Sequence, residues 1–407
     1  MKFFVETYGC ALNKADSRMI KAYLKSIGLK EGKRDDADFY ILNTCIVKKP
    51  TEDRMRGRIK KLSEEKKEKG FELVVFGCFP RVLKAKEDAI YLKSFEGFEE
   101  IFGKPFDFKK AFMNMPVEEG ISIIPLSYGC FGNCSYCIVK LARKKYHSIP
   151  PEWIIKKMKK DLKKTKLFYL TSQDSSTYLF KGKRLPELMD EIATEIKEGF
   201  FARIGMWNPK NVLFFKMEKE MINAFSDWRF MKFFHIPLQS GSDRILELMN
   251  RKYTFDEFYK LWAEFKENYP LGSFVTDIIV GFPGENMADF QKTLVAIKKL
   301  KPGKINVSRY GDRPFTIAEK MKNKIKESEK KKRSRILYNI ARYFSKKETE
   351  KLEDKTLIGL KKGNQMILEN FRKAKVENKA KEGNLYLCRT YLEKEELKCE
   401  ILEKIKD

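Results

Sequence analysis

Alternating strand and helix patterns predict an α/β protein in three parts: an N-terminal parallel α/β sheet domain over residues 1–115, a central partial TIM-like barrel with a trailing basic helix over 120–350, and a small domain of short strands over 353–407. Three observations predict it. A strand, a cysteine and a helix recur in that order three times before residue 80, and such alternation implies a parallel sheet. Six more strand–helix units run from about 123 to 311. After about Glu353 the pattern changes to short strands.

In the first part, residues 2–8 read as a strand that ends at Cys10. Asp16 stands where a cap would precede a helix with Met19, Ile20, Tyr23, Leu24 and Ile27 on one face and Gly28 at its end. Phe39 to Leu42 form a second buried strand, ending at Asn43, Thr44 and Cys45. A charged helix follows over about 51–69 and stops at Gly70. Leu73 to Phe76 are a third strand, ending at Gly77 and Cys78. All carboxyl ends of a parallel sheet lie on one edge, where ligands bind. Three cysteines, each just beyond a strand end, can therefore converge on one point. Taken singly, each could be a small buried hydrophobe; their shared position points to joint ligation.

In the second part, strands read at 122–127, 167–171, 201–206, 232–237, 273–280 and 304–309, with helices between them, for example 151–164 and 185–196. A partial TIM-like barrel again works at the carboxyl ends of its strands. Past the first strand lies Cys130-Phe131-Gly132-Asn133-Cys134-Ser135-Tyr136-Cys137, three cysteines in C-x3-C-x2-C spacing. Soft thiolates at such spacing suit zinc or an iron–sulfur cluster. Structural zinc takes four protein ligands, and the nearest further candidate, His147, lies ten residues beyond Cys137. A cubane held by three thiolates would keep one iron open; an incomplete zinc knuckle or packed cysteines are the alternatives. His147 and His235 are the only histidines, and neither supports a Ser–His–Asp site; His235 is expected to be structural.

The third part follows a basic helical segment, 320–351, with 13 Lys/Arg against 4 Glu. It is either a solvated face or a surface for phosphates. Short strands read at 356–360, 365–369 and 385–388, and 355–381 carries eight Lys/Arg against two Glu. Cys388 and Cys399 are expected to be packing residues.

A formal net charge of +27 favours a polyanionic partner, most simply nucleic acid, unless it reflects a thermophile's lysine-rich surface. The start Met1-Lys2-Phe3-Phe4-Val5-Glu6 is not that of a signal peptide, and no apolar run approaches the ~18 residues of a membrane span. Eight cysteines in this setting point to a reducing cytoplasm and to metal ligation instead of disulfides.

The C-x3-C-x-aromatic-C run resembles the radical S-adenosylmethionine (SAM) signature. With Thr7-Tyr8-Gly9-Cys10, Asn13, Asp16-Ser17, Asn43-Thr44-Cys45 and Gly77-Cys78 ahead of it, nearly the whole chain resembles the methylthiotransferases. The runs Glu6 to Ser17 and Asn43 to Glu52 are most similar to the archaeal and eukaryotic type, which acts on threonylcarbamoyladenosine beside the tRNA anticodon. Other subfamilies act on isopentenyladenosine in tRNA or on a ribosomal-protein aspartate. A non-catalytic iron–sulfur RNA-binding protein is the alternative of another class. The resemblance implies two 4Fe–4S clusters: one on Cys130, Cys134 and Cys137, where SAM yields a radical, and an auxiliary one on Cys10, Cys45 and Cys78, which carries sulfur. It implies two SAM molecules, one as methyl donor and one as radical source, with SAM contacts at Tyr136, Gln173, Arg203 and Gln239. It further implies tRNA as partner, a reducing electron donor, and a small C-terminal RNA-binding β-barrel of the TRAM type; the sulfur source stays open. Two positions depart from the family: Lys144 follows Arg143, and Phe315 follows Pro314, where glycine is usual. Both bear on loop geometry and substrate reach.

Overall fold

The structure is a computed structural model that describes residues 1–376 and 380–405. Glu377 and Lys379, counted above in the stretch 355–381, and the last two residues of 353–407 lie outside the described residues. Strands β1 (Lys2–Thr7), β2 (Lys30–Glu31), β3 (Phe39–Thr44), β4 (Glu72–Gly77) and β5 (Ile90–Tyr91) form one parallel sheet in the order β2-β1-β3-β4-β5. Helix α1 (Ala11–Ser26) packs Leu12, Ala15, Met19, Ile20, Tyr23 and Leu24 into the core with Phe3, Ile41 and Val74. Helix α2 (Lys49–Lys69) closes at Gly70, which takes φ +74 and donates its N–H to the Lys66 carbonyl. The short α3 (Cys78–Val82) starts at a cysteine.

One expectation needs correction. Asp16 does not cap α1, which already begins at Ala11; it is fully buried in the second turn. There Arg143, 127 residues away, meets its carboxylate at 2.5 Å. A carboxylate ahead of an apolar face reads as a cap from local pattern, and the distant guanidinium that makes its burial tolerable has no local signature.

The barrel strands form two parallel groups: β6 (Ser122–Pro125), β7 (Leu167–Thr171) and β8 (Phe201–Ile204), then β9 (Phe233–His235), β10 (Ser273–Val280) and β11 (Lys304–Arg309). A single parallel bridge between Ala202 and Phe230 joins the groups. Three strands stop two residues sooner than their patterns suggest, at Pro125, Ile204 and His235, which frees the following residues for loops. Helices α4 (Pro151–Leu162), α5 (Leu185–Glu195), α6 (Glu218–Ser226), α7 (Phe255–Asn268) and α8 (Met287–Leu300) cover the barrel. Phe168, Leu170, Ala202, Ile204, Phe234 and Ile278 pack with them. Alternation along a strand sends Tyr169, Arg203 and Phe233 to the other face.

Helix α9 (Glu327–Glu350) spends part of its charge internally. Arg333 is buried and meets Glu285 at 2.5 Å, and Lys330 donates to the Tyr310 carbonyl at 2.9 Å. Lys331, Lys332, Arg335, Arg342, Lys346 and Lys347 stay exposed.

Strands β12 (Lys355–Lys362), β13 (Gln365–Leu368), β14 (Lys373–Val376), β15 (Leu385–Glu393) and β16 (Glu396–Lys404) close a five-stranded barrel in the order β12-β13-β14-β16-β15. The sequence reading missed β14 and β16, whose outward residues are nearly all charged; Ala374, Val376, Leu397 and Cys399 reach the core and Ile401 packs against it. Cys388 and Cys399 are buried there. This barrel seals the amino end of the larger one. Leu360, Ile367 and Leu385 pack on Leu167, Phe201 and Met231, and Phe371 sits 4.9 Å from both the Arg203 guanidinium and the Phe233 ring centre. The carboxyl ends of the strands remain on the opposite side. No helix among the described residues is long and apolar enough to cross a membrane.

Gly77 sits where β4 hands over to Cys78, at φ +95. A Cβ there would lie 2.3 Å from Asn43 Oδ1 and within 2.7 Å of the Thr44 backbone. Gly77→Ala should therefore destabilise the fold by roughly 3 kcal/mol, from a positive φ and a contact that cannot relax. Calorimetry of the full chain should show a lowered Tm; an unchanged Tm would contradict the close approach.

Candidate functional site

The three strand–cysteine loops of the N-terminal sheet meet at one side chain, Asn13. It lies one turn after Cys10 on α1, so the two share a helix face. Its Nδ2 donates to the Tyr8 carbonyl at 3.0 Å and to the Thr44 carbonyl at 2.8 Å. Its Oδ1 lies 3.7 Å from Cys10 Sγ and 4.0 Å from Cys78 Sγ, and accepts from Arg143 Nη2 at 3.1 Å. Asn43 Nδ2 donates to the Asn13 carbonyl at 2.8 Å and so ties β3 to α1. Cys45 packs against Gly9, immediately before Cys10. Cys10, Cys45 and Cys78 are thus brought together. Burial pushes the Cys45 thiol up to about 11, opposed by the Val47 N–H, and pushes Cys78 up as well. Arg143 is buried, and its Nη1 has no hydrogen-bond partner among the described residues. A buried guanidinium donor left over beside three thiols fits an anionic group among them.

The second triplet is built from the β6 loop. Gly132 N–H donates to Cys130 Sγ at 3.2 Å, and Arg251 Nη1 donates to Cys134 Sγ at 3.4 Å. Arg251 is itself fixed by the Pro237 carbonyl at 2.9 Å and the Tyr253 hydroxyl at 2.9 Å. Ser135 anchors the loop, its N–H on the Met249 carbonyl at 3.0 Å and its hydroxyl on the Leu248 carbonyl at 2.8 Å. Burial, with the Asp174 carboxylate 3.9 Å away, pushes Cys130 up to about 12; burial and the neighbouring Cys134 push Cys137 up to about 11. At neutral pH such thiols stay protonated unless a metal displaces the proton. Among the described residues no three His, Cys, Asp or Glu side chains gather tightly enough to hold a single metal ion. Three thiols with N–H donors on their sulfurs and, among the described residues, no fourth protein ligand fit a cluster with an open iron better than closed structural zinc.

The remaining sequence-derived candidates fall in different places. Gln173 Oε1 accepts from Gly129 N–H at 2.8 Å, so it clamps the start of the cysteine loop. Tyr136 is partly buried, edge-on to Phe282 with ring centres 6.4 Å apart. Gln239 is buried, takes φ +75, and leaves its Oε1 without a partner. Arg203 lies 4.9 Å from each of the Tyr169, Phe233 and Phe371 rings, with Nε unpaired; its described contacts include no residue of the Cys130–Cys137 loop. His235 Nε2 stands 3.1 Å from both Asp277 oxygens, and Asn306 Nδ2 donates to the same carboxylate at 2.7 Å. Ser127 Oγ and Gln239 Oε1, both past the ends of barrel strands, are buried without a hydrogen-bond partner among the described residues. Such atoms are costly unless a polar ligand meets them.

Sequence reasoning missed the roles of Asn13, Arg143 and Arg251. Spacing from Cys10 could have suggested Asn13. Arg143 drew notice only for the lysine after it, and nothing local marks Arg251.

Residues 124–297 match the Radical SAM superfamily, and residues 2–94 match Uncharacterized protein family UPF0004. The chain is 39% identical over 372 residues to a protein of Methanocaldococcus jannaschii named "Probable threonylcarbamoyladenosine tRNA methylthiotransferase", covering 85% of this chain and 84% of that one. It is 36% identical to a protein of the same name from Pyrococcus horikoshii, over 84% of each chain. It is 31% identical to the human "Threonylcarbamoyladenosine tRNA methylthiotransferase", over 85% of this chain and 64% of that one. Among solved structures, a radical SAM methyltransferase from Kitasatospora setae shares the fold with a TM-score of 0.53 at 13% identity, over 78% of this chain and 76% of that one.

Arg143 and Asp16 are both nearly inaccessible. Arg143→Met leaves the buried carboxylate with the Tyr128 hydroxyl but no counter-charge and should cost about 3–5 kcal/mol. Adding Asp16→Asn should recover much of that loss. Thermal unfolding of both variants checks it: additive losses would mean the pair is not coupled.

Proposed function

The chain belongs to the threonylcarbamoyladenosine tRNA methylthiotransferases, a family of radical SAM enzymes, and on that premise we propose that it replaces the C2 hydrogen of threonylcarbamoyladenosine beside a tRNA anticodon with a methylthio group, using two SAM molecules and two 4Fe–4S clusters. The observation that carries the reading is the pair of separately built cysteine triplets, each three thiols without a fourth protein ligand.

Cys130, Cys134 and Cys137 would hold the cluster at which SAM binds, and Cys10, Cys45 and Cys78 the auxiliary one. Once bound, these groups supply an electron for SAM cleavage and a site for the sulfur that is transferred. The protein's part is binding, orientation and exclusion of water. Arg251 and the Gly132 N–H hold two sulfurs of the radical site in place. Gln173 holds the loop through Gly129. The unpaired Oε1 of Gln239 suits a polar group of SAM, and Tyr136 stands within the cysteine loop itself. Arg203 would reach SAM only if its side chain left the aromatic cage around it. Asn13, itself held by Arg143, lies against the thiols of Cys10 and Cys78. A C–S bond forms only if sulfur is held close to the newly made carbon radical, so placement contributes much of the rate. The exposed cations of α9 and of the small barrel would face tRNA phosphates, an electrostatic contact that weakens with salt. The reaction also needs a reducing electron donor.

The decisive test is mass spectrometry of tRNA nucleosides from cells with and without the gene: methylthio-threonylcarbamoyladenosine should vanish with it. A division of labour between the triplets adds a second check. Replacing Cys10, Cys45 and Cys78 by alanine should preserve dithionite-driven formation of 5′-deoxyadenosine and abolish the methylthio product. Replacing Cys130, Cys134 and Cys137 should abolish both. Circular dichroism of the same samples separates these results from unfolding. A folded Cys10/Cys45/Cys78 variant that still inserts sulfur would overturn the assignment.

A further inference from the structure

The segment after β11 spans the space between the two triplets. Arg313 Nη2 donates to the Ile46 carbonyl at 2.7 Å, next to Cys45, and Arg313 Nη1 faces Glu52 at 2.8 Å as an ion pair without hydrogen-bond alignment. Five residues on, the Ala318 N–H donates to the Ser135 carbonyl at 2.9 Å, next to Cys134. The segment is pinned beside the first triplet at one end and beside the second at the other.

Between the pins lies a four-residue turn, Arg313 to Thr316, closed by the Thr316 N–H on the Arg313 carbonyl at 3.2 Å. Pro314 stands second, and Phe315 stands third with φ +67. Proline second with a positive φ third is the type II pattern, whose third position suits glycine or asparagine. A bulky residue in this region is a genuine outlier. Phe315 is 68% exposed, and its ring has no aromatic partner among the described residues. The turn is nevertheless held firmly, with the Phe315 N–H on Glu319 Oε2 at 2.8 Å and the Thr316 hydroxyl on the Arg313 carbonyl at 2.8 Å. Neither the fold's core nor its backbone gains from an exposed ring in a strained conformation. Strain kept beside a functional site points to a use for the side chain.

We propose that Phe315 is a stacking platform for an unpaired nucleobase of the tRNA substrate, a neighbour of the adenosine presented between the two triplets. The proposal rests on the reading of the chain as a tRNA-modifying enzyme. Stacking on an aromatic needs an exposed, rigidly held ring face and tolerates any base, and a ring fixed at both ends of its turn meets that need. Bases in unpaired loops are recognised by being splayed out and stacked on aromatic side chains. The surroundings carry the matching charge. Lys48, Lys144 and Lys320 are exposed around the two pins and the cysteine loop; Lys49, against Gly311 at the start of the segment, is paired with Asp53 at 2.7 Å, and Asp312 with Lys324. With a net charge of +27 on the chain, the occupant this favours is a nucleic acid and not an apolar peptide.

The test uses the anaerobically reconstituted full chain and an anticodon stem-loop RNA, intact or with an abasic site beside the target adenosine. Phe315→Gly should bind intact RNA roughly ten-fold more weakly, while its Tm stays at or above that of wild type because the strain is relieved. The salt dependence of binding should keep its slope, since no phosphate contact is lost. Phe315→Tyr should bind as wild type does. Wild type should lose about the same factor on the abasic RNA, and Phe315→Gly should lose no more. SAM cleavage without RNA should not change. Should Phe315→Gly lower the Tm, Phe315→Asn, which also accepts a positive φ, takes its place in the comparison. Unchanged affinity of the folded variant, or an equal loss on intact and abasic RNA, overturns the proposal. If affinity drops as expected and wild type makes no methylthio nucleoside, the platform stands and the enzymatic reading falls.

Discussion

The buried guanidinium of Arg143 is the contact on which the arrangement of the site depends. It leaves the segment of the second triplet six residues past Cys137 and ends against Asp16 and Asn13 on α1 of the N-terminal sheet domain. The Tyr128 hydroxyl also donates to the buried Asp16 carboxylate at 3.1 Å, but Arg143 is what balances its charge. Asn13 in turn touches the loops after three strands of that sheet. Through one pair of side chains the position of the first cysteine triplet is referred to the segment that carries the second. Arg313 supplies a second tie, from β11 to the loop after Cys45. Chemistry between two centres needs their separation fixed, and both ties are buried ions whose loss would be costly.

Much of this was legible in the sequence because it follows from topology. Three cysteines past three parallel strands must share an edge, and they do. The six barrel strands were readable from apolar runs, although three of them end two residues early at the site. What could not be read depends on contacts across long separations. Asp16 looked like a helix cap because its partner lies 127 residues away. Arg251 carries no local signal, yet it donates to Cys134. Gln173, expected at SAM, holds Gly129 through its Oε1, a contact no local pattern announces. Strand Glu396–Lys404 escaped notice because charge on its solvent face outweighed the few apolar residues on the other.

The basic surplus divides in a similar way. A count along 320–351 suggests one cationic face, but Arg333 and Lys330 turn inward and bond to the barrel, where they hold α9 in place. The exposed remainder is what a polyanion could meet. The small C-terminal barrel closes the amino end of the larger one with Phe371 over Arg203, so only the carboxyl ends stay accessible. That leaves the edge on which the second triplet stands, tied through Arg143 and Arg313 to the first.

The central claim is that each triplet holds its own cluster, and iron content tests it most directly. Anaerobically reconstituted wild type should contain about eight irons per chain if both groups are four-iron cubanes. Variants lacking either triplet, with circular dichroism unchanged, should each keep about half. A folded wild type that binds one zinc, or a folded variant that loses all its iron with one triplet, would contradict the account.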